Sequence, residues 1–403
     1  MTSLPQAPTR DEHLFSPGPK RMLALDGGGV RGIISVAFLE RLEALLARRH
    51  PDPETFRLCD YFDLIGGTST GAIIAAGLAL GMKVAEIRRF YLDLAPRVFR
   101  QGWFRIVGVQ PLFDARRLTE EISRQVGDRA LDSPDLRTGL VIVTKRMDTG
   151  SPWILSNVPG TAYWDTPSDG AFLGNRHYRL ANLLRASTAA PYYFQPEPIP
   201  VIDGQPPGWF VDGGVSPYNN PALALLQVAT LRAHGLRWKT GEDNLLLMSI
   251  GTGCQRTRVP PDKVGRLSSV GLAVRALGAV IEDGQALAVA LLQALSRPID
   301  PWHINSEIGG LEDDCLGGQP LLSFQRFDVR FDPGWIATHT GLTVSDRDLE
   351  GLERFDYPPI VPLADRIGRA AAARLVREDH FPPAFDTPAT VRPATADPPP
   401  PQR

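Results

Sequence analysis

The chain has few cysteines and almost no excess charge. Its 403 residues include three cysteines at wide spacing, Cys59, Cys254 and Cys315. An odd number of distant cysteines argues against a disulfide framework and favours reduced thiols in a cytosol. The formal net charge is -2, so the chain as a whole attracts neither nucleic acid nor an anionic membrane. Any contact with lipid must therefore be local.

A secretory signal and a long hydrophobic run are also lacking. The start, MTSLPQAPTRDEHLF, has no apolar segment after a basic end. The longest apolar tracts, 72–81 and 284–295, fall short of the roughly 18 uninterrupted apolar residues that a membrane span needs, or polar residues interrupt them. We therefore expect a cytoplasmic protein that meets membranes, if at all, peripherally at their surface.

What is present fits one large globular domain, with 43% hydrophobic and 22% charged residues. Residues 1–19 are rich in proline and polar residues and predict a flexible lead-in, and the proline-rich segment 381–403 predicts a disordered tail. Residues 20–380 form the predicted domain. Within it, the alanine- and leucine-rich stretch 264–296 predicts a helix pair, either an apolar lid or cap or a packed hairpin.

The first ordered segments predict a βαβ unit in an α/β fold with a mostly parallel sheet. A strand at 21–25 enters the loop Asp26-Gly-Gly-Gly-Val-Arg-Gly32, a helix follows, and a second strand covers 61–65. The loop matches the G-x-G-x-x-G dinucleotide fingerprint. Two features count against that function: the Asp26 carboxylate would lie where phosphates bind, and Asp63 lies inside the second strand. A glycine turn that serves only packing is a further alternative.

We prefer an oxyanion hole at this loop. The N–H groups of Gly27, Gly28 and Gly29 stand at a helix N-terminus and can converge on a developing negative oxygen. Arg31 would add positive potential or brace the loop.

A second glycine-flanked turn supplies a candidate nucleophile. Residues Gly67-Thr-Ser69-Thr-Gly71 form a G-x-S-x-G pentapeptide between the strand 61–65 and a helix over 72–80. Such a strand-to-helix turn holds the serine hydroxyl above the sheet edge. Ser69 is thus the predicted nucleophile, and Gly67 and Gly71 complete the elbow.

A serine nucleophile needs a base, and the seven histidines stand in no recognisable catalytic setting. Asp212 follows a short apolar strand and precedes two glycines, which would let its carboxylate approach Ser69 and act as the base directly. Asp203 also follows an apolar run but lacks the second glycine, so it ranks below Asp212. A triad that uses His303 or His339 stays open.

Three motifs in this order resemble the patatin-like phospholipases: Asp26 to Gly32, Gly67 to Gly71 and Asp212-Gly-Gly214. The stretch Arg185 to Phe194 is similar to the family's segment ahead of its aspartate. The resemblance implies a three-layer α/β/α fold and a Ser69–Asp212 dyad. It also implies an oxyanion hole at Gly27, Gly28 and Gly29 with Arg31. The implied reaction is hydrolysis of acyl esters of membrane glycerolipids through an acyl-serine intermediate.

The implied partners are a phospholipid or other acyl-ester lipid and, transiently, a membrane surface. No nucleic acid is expected. No cluster of His, Cys and Asp has metal-ligand spacing, so we expect neither a catalytic metal nor a cofactor. The alternatives are an α/β-hydrolase esterase with a Ser-His-Asp triad, a nucleotide-binding module built on residues 27–32, and a non-catalytic interaction or storage protein.

Overall fold

A computed structural model describes residues 8–98, 113–254 and 268–386. Its strands are β1 Lys20–Leu25, β2 Leu64–Thr68, β3 Gly139–Arg146, β4 Pro152–Ser156, β5 Glu197–Ile199, β6 Gly208–Asp212, β7 Leu245–Ile250 and β8 Ser323–Phe327. Its α-helices are α1 Arg10–Phe15, α2 Gly32–Ala47, α3 Leu58–Tyr61, α4 Thr70–Ala79, α5 Val84–Val98, α6 Ala115–Val126, α7 Leu180–Ser187, α8 Ala222–Thr230, α9 Ser269–Ala294, α10 Pro333–Thr340, α11 Asp346–Glu353 and α12 Val361–Leu375.

All eight strands belong to one sheet in the order β5-β6-β3-β2-β1-β7-β8, with β4 also paired to β3. Strands β3, β2, β1, β7 and β8 run parallel to one another. Strands β4 and β6 run antiparallel to β3, and β5 antiparallel to β6. The prediction of a mostly parallel central sheet is therefore confirmed.

The two faces of the sheet bury separate apolar clusters. Along β1, Leu23 and Leu25 join a large cluster with helices α2, α4, α5, α7 and α12. Met22 and Ala24 point to the other face and pack with α8 and the end of α9. Alternate side chains of a strand point to opposite faces, so burial of both sets requires helices on both sides. The predicted three-layer α/β/α fold is confirmed.

Packed structure extends beyond both ends of the predicted domain, residues 20–380. Helix α1 lies within the segment expected to be flexible, its Leu14 is buried, and the indole of Trp238 donates a hydrogen bond to the Leu14 carbonyl at 2.9 Å. Phe381 and Phe385 are buried beyond the predicted end at 380. Isolated buried apolar residues such as these form no periodic hydrophobic pattern, so the sequence alone does not predict their burial. Residues 1–7 and 387–403 lie outside the described residues.

The stretch 264–296 differs from the predicted helix pair. Its described part, from residue 268 onwards, contains the single 26-residue helix α9. Among the described helices, the segment Gly271–Ala294 has the length and apolar composition of a membrane span, and 22% of its most apolar 18-residue window is buried in the protein. Val289 and Leu292 near its end pack in the core cluster beside α8. The end of α9 is thus anchored in the domain.

Strand register brings two distant segments together at one end of the sheet. Strand β2 pairs with β3 up to the partners Thr68 and Val143. The next β3 residue, Thr144, pairs with Asp212 of β6. Because β4 occupies the opposite edge of β3, β6 takes the place that β2 vacates. The residue after Thr68 and the last residue of β6 therefore meet.

Candidate active site

Ser69 sits on a strained turn between β2 and α4. Its φ of 55° and ψ of -126° are rare for a residue with a side chain. The Ser69 amide donates to Ser187 Oγ at 2.9 Å, and Ser187 Oγ donates to the Val143 carbonyl at 2.6 Å. Ser69 is half-buried. This is the geometry of a nucleophile elbow, in which the hydroxyl stands clear of the sheet edge.

The elbow glycines are required by close backbone packing. A Cβ on Gly67 would lie 2.1 Å from the Gly71 carbonyl oxygen, and one on Gly71 would lie 2.2 Å from the Leu25 carbonyl oxygen. Both neighbours are backbone atoms that cannot move aside as a side chain would. Only glycine fits either position while β1, β2 and α4 keep this approach.

Asp212 accepts a hydrogen bond from the nucleophile. Ser69 Oγ donates to Asp212 Oδ2 at 2.6 Å, and the Gly214 amide donates to Asp212 Oδ1 at 2.7 Å. The Asp212 residue is 5% exposed. Both carboxylate oxygens are therefore held, one of them on the serine hydroxyl. A carboxylate within hydrogen-bond reach of the proton that it removes meets the geometric requirement for a general base.

Burial sets the protonation of this carboxylate. It raises the pKa of Asp212 from the ordinary value of 3.8 to about 6, while the Ser69 hydroxyl, the Gly214 amide and the charge of Arg185 oppose that rise. Desolvation disfavours the charged form, and donors to the carboxylate favour it. At neutral pH Asp212 is ionised and is a stronger base than a solvated aspartate.

The glycine loop lies against the serine, but its three amides differ. A Cβ on Gly27 would lie 3.1 Å from Ser69 Cβ. The Gly27 amide donates to the Asn219 carbonyl at 3.1 Å, so it already has an acceptor. The Gly28 amide has a weak acceptor, the Thr70 hydroxyl at 3.3 Å. Gly29 adopts a positive φ of 57°. Of the predicted oxyanion donors, the Gly27 amide is therefore already engaged, whereas the Gly28 amide has only this long contact to give up.

A buried ion cluster supports the start of this loop. Arg326 of β8 donates to Asp26 Oδ2 at 2.6 Å and to Oδ1 at 3.1 Å, and it also donates to Asp328 at 2.7 Å and to Ser249 Oγ at 2.7 Å. Burial raises the pKa of Asp26 to about 6, and the Arg326 charge opposes that rise. Arg326 was not among the predicted site residues. Its sequence signal is weak, because Arg326 and Asp328 stand in the alternating segment FQRFDVRF at 324–331, which also contains Gln325 and Arg330.

The Arg31 guanidinium lies near an aromatic ring and acidic side chains. It is 5.7 Å from the Phe331 ring centre. Burial lowers its pKa, while the charges of Asp328 and Glu282 oppose the shift. These contacts favour the bracing role over direct contact with a substrate oxygen.

The alternative bases lie elsewhere. All seven histidines are among the described residues, and none of them hydrogen-bonds Ser69 or Asp212 there. His339 stacks on Trp335 at 4.3 Å, and His380 bonds Asp300 at 2.9 Å. Asp203 is exposed in a turn.

The chain is similar to a known family and to several known proteins. The family model described as "Patatin-like phospholipase" matches residues 23–226. A "cGAMP-activated phospholipase" of Escherichia coli (strain TW11681) is 30% identical over 58% of this chain and 62% of that protein. One of Vibrio cholerae serotype O1 is 29% identical over 71% of this chain and 79% of that protein. "Patatin group A-3" of Solanum tuberosum is 30% identical over 58% of this chain and 60% of that protein. The chain thus spans about three fifths of the length of two of these relatives.

Proposed function

The chain belongs to the patatin-like phospholipase family, and from that premise we propose that it hydrolyses acyl esters of membrane glycerolipids with Ser69 as nucleophile and Asp212 as base. The observation that carries this proposal is the 2.6 Å hydrogen bond from Ser69 Oγ to Asp212 Oδ2. A hydroxyl on a strained elbow, bonded to a buried carboxylate, is arranged for attack on an acyl carbon.

In the acylation step, Ser69 Oγ attacks the ester carbonyl carbon and its proton passes to Asp212. The carbonyl oxygen becomes an oxyanion, which the amides of Gly28 and Gly29 stabilise. One such donor contributes about 3 kcal/mol, or 100- to 1000-fold in rate. When the tetrahedral intermediate collapses, the ester C–O bond breaks, and Asp212 returns the proton to the departing alcohol oxygen.

Deacylation repeats the chemistry with water. Asp212 accepts a proton from a water molecule as that water attacks the acyl-serine carbonyl. Collapse breaks the bond to Ser69 Oγ, which recovers its proton from Asp212, and a free fatty acid leaves. One carboxylate therefore serves both halves of the cycle, and no histidine is required.

Covalent labelling tests the nucleophile. An alkyl fluorophosphonate reacts with activated serines, so we expect one adduct per chain, located by mass spectrometry on the peptide that contains Ser69. We expect no adduct in Ser69→Ala and slower labelling in Asp212→Asn. Labelling of another serine, or equal labelling of Asp212→Asn, would contradict the dyad.

The pH dependence tests the base. Asp212 must be ionised to accept a proton, so kcat/KM for a water-soluble nitrophenyl ester should rise about tenfold per pH unit up to a pKa of about 6 and then level off. The variants His303→Gln and His339→Gln should keep this profile. A midpoint near 7 that either change abolishes would instead support a Ser-His-Asp triad.

A substrate panel tests the lipid class. Purified protein would be assayed against phospholipids, galactolipids and short nitrophenyl esters, each with and without cGAMP because two relatives are named for activation by it. We propose release of free fatty acid from the glycerolipids. Absence of release from every ester, in both conditions, would refute the proposed function.

A further inference from the structure

Helix α9 presents an apolar stripe to solvent. Its members Leu277, Val280, Leu287 and Leu291, which we call the α9 stripe, are 39%, 66%, 66% and 37% exposed. Their spacing of three, seven and four residues puts them on one face of an α-helix. A surface helix of a globular protein normally directs such a stripe toward the core, whereas the α9 stripe faces solvent.

The protein side of α9 is also well defined. Ala288, Val289 and Leu292 are buried, and the last two belong to the core cluster beside α8. The helix is thus fixed at its C-terminal end. Its apolar stripe is not the side that packs in this core cluster, and it stays exposed in the part of the chain that the structure describes, as interaction surfaces do.

The helix that carries the stripe contacts the candidate active site through other residues. The Gln285 side-chain amide donates to Asp26 Oδ2 at 3.2 Å, one residue ahead of the glycine loop. A Cβ on Gly284 would lie 3.5 Å from Pro217 Cα, in the segment that follows Asp212. Both catalytic loops therefore contact the helix that carries the stripe.

We propose that the α9 stripe docks on the surface of the lipid aggregate that holds the substrate. The proposal rests on the proposed function, since a chain that cleaves acyl lipids must take them from such an aggregate. Position favours a lipid surface as the occupant, because Gln285 links α9 to the loop beside Ser69. The stripe residues are uncharged, which suits shallow insertion of apolar side chains among acyl chains. Docking by this stripe brings the glycine loop and Ser69 to the surface from which the lipid departs.

Vesicle binding tests the stripe separately from catalysis. Ser69→Ala protein should sediment with phosphatidylcholine vesicles. Adding Val280→Asp or Leu287→Asp should weaken that binding about tenfold or more, because each places a charge in the apolar interface. The control is Leu231→Asp, another apolar residue that is 51% exposed, at the far end of α8; it should bind like the parent. Equal binding of all four proteins would overturn the proposal.

Activity measurements in the Ser69-containing protein separate docking from folding. Val280→Asp and Leu287→Asp should lower hydrolysis of vesicle phospholipid about tenfold and leave hydrolysis of a dissolved short-chain ester within about twofold of the parent. Equal loss on both substrates would show a structural defect and overturn docking. If the parent hydrolyses neither substrate, the proposed function fails, and the sedimentation result alone decides the docking proposal.

Two further readouts exclude other occupants. Because the stripe is uncharged, sedimentation should persist when salt is raised severalfold, since screening weakens only charge-driven binding. Loss of binding in salt would overturn the proposal. So would a dimer in gel filtration that Val280→Asp converts to a monomer, because the stripe would then be covered by a second copy of the chain.

Discussion

Replacing Ser69 with alanine, or Asp212 with asparagine, is expected to lower kcat for ester hydrolysis about 10⁴- to 10⁶-fold. Alanine removes the attacking oxygen. Asparagine keeps the side-chain shape and an oxygen that can accept from the Gly214 amide, but it cannot take a proton from Ser69. Members of one catalytic unit are not additive, so the double variant should lose hardly more than either single variant. Initial rates on a water-soluble ester measure this effect without any contribution from lipid docking.

Both variants should fold, and the second should be more stable than the parent at neutral pH. The pKa of Asp212 is about 6 in the folded chain against an ordinary 3.8, so the folded state disfavours the ionised form. The resulting loss in the free energy of unfolding is absent below about pH 4 and grows as the pH rises to about 6. Above that pH it reaches about 3 kcal/mol. An asparagine side chain never ionises, so Asp212→Asn should unfold at a higher temperature than the parent at pH 8 and at a similar temperature at pH 4.

Full activity in Asp212→Asn would contradict the dyad, because it would remove the carboxylate from the mechanism. Lower stability of that variant than of the parent at pH 8 would contradict the destabilisation assigned to the ionised Asp212.

Replacing Arg326 with methionine is expected to reduce the free energy of unfolding by about 3 to 5 kcal/mol. The guanidinium is buried and bonds Asp26, Asp328 and Ser249. Its removal takes the arginine partner away from the buried Asp26 and Asp328 carboxylates. The loss should shrink at low pH, because protonation of Asp26 removes its uncompensated charge. Denaturant titrations at pH 7 and pH 5 measure both effects.

A matched exposed arginine provides the control. Arg369 pairs with Glu40 and Asp365, and its side chain is 47% exposed. Arg369→Met should lower the free energy of unfolding by less than about 1 kcal/mol. The triple variant Asp26→Asn, Arg326→Met, Asp328→Asn should regain part of the stability that Arg326→Met alone loses, because it removes the charges together. If Arg326→Met lowers the free energy of unfolding no more than Arg369→Met does, the buried cluster does not stabilise the start of the glycine loop.

Much of the fold follows from local patterns in the sequence. The buried strands near 21–25, 139–145 and 244–250 appear as short apolar runs with turn residues at their ends, and the structure contains them. The elbow at Ser69 and the glycines after Asp212 mark places where only glycine permits close packing, which explains why the sequence points to these two residues. Their proximity depends on the register of β3 with β2 and β6, which no local pattern encodes.

What the sequence did not predict depends on distant partners. The Gly27 amide is occupied by the Asn219 carbonyl, 192 positions away. Asp26 meets Arg326 across 300 positions. The segment that forms helix α9 was predicted to be a helix pair, because its alanines and leucines suit both a packed helical pair and a single helix with an outward apolar face. Composition cannot separate these two, since the difference lies in what each side of the helix contacts.

The order of the strands along the chain also determines when the proposed dyad can form during synthesis. β2 leads into the serine early, whereas β6 supplies its carboxylate 143 positions later and β8 supplies Arg326 later still. A chain cut short between the elbow and β6 therefore has a serine without its proposed base and an Asp26 without Arg326. The proposed hydrolysis thus requires synthesis to proceed at least through β6.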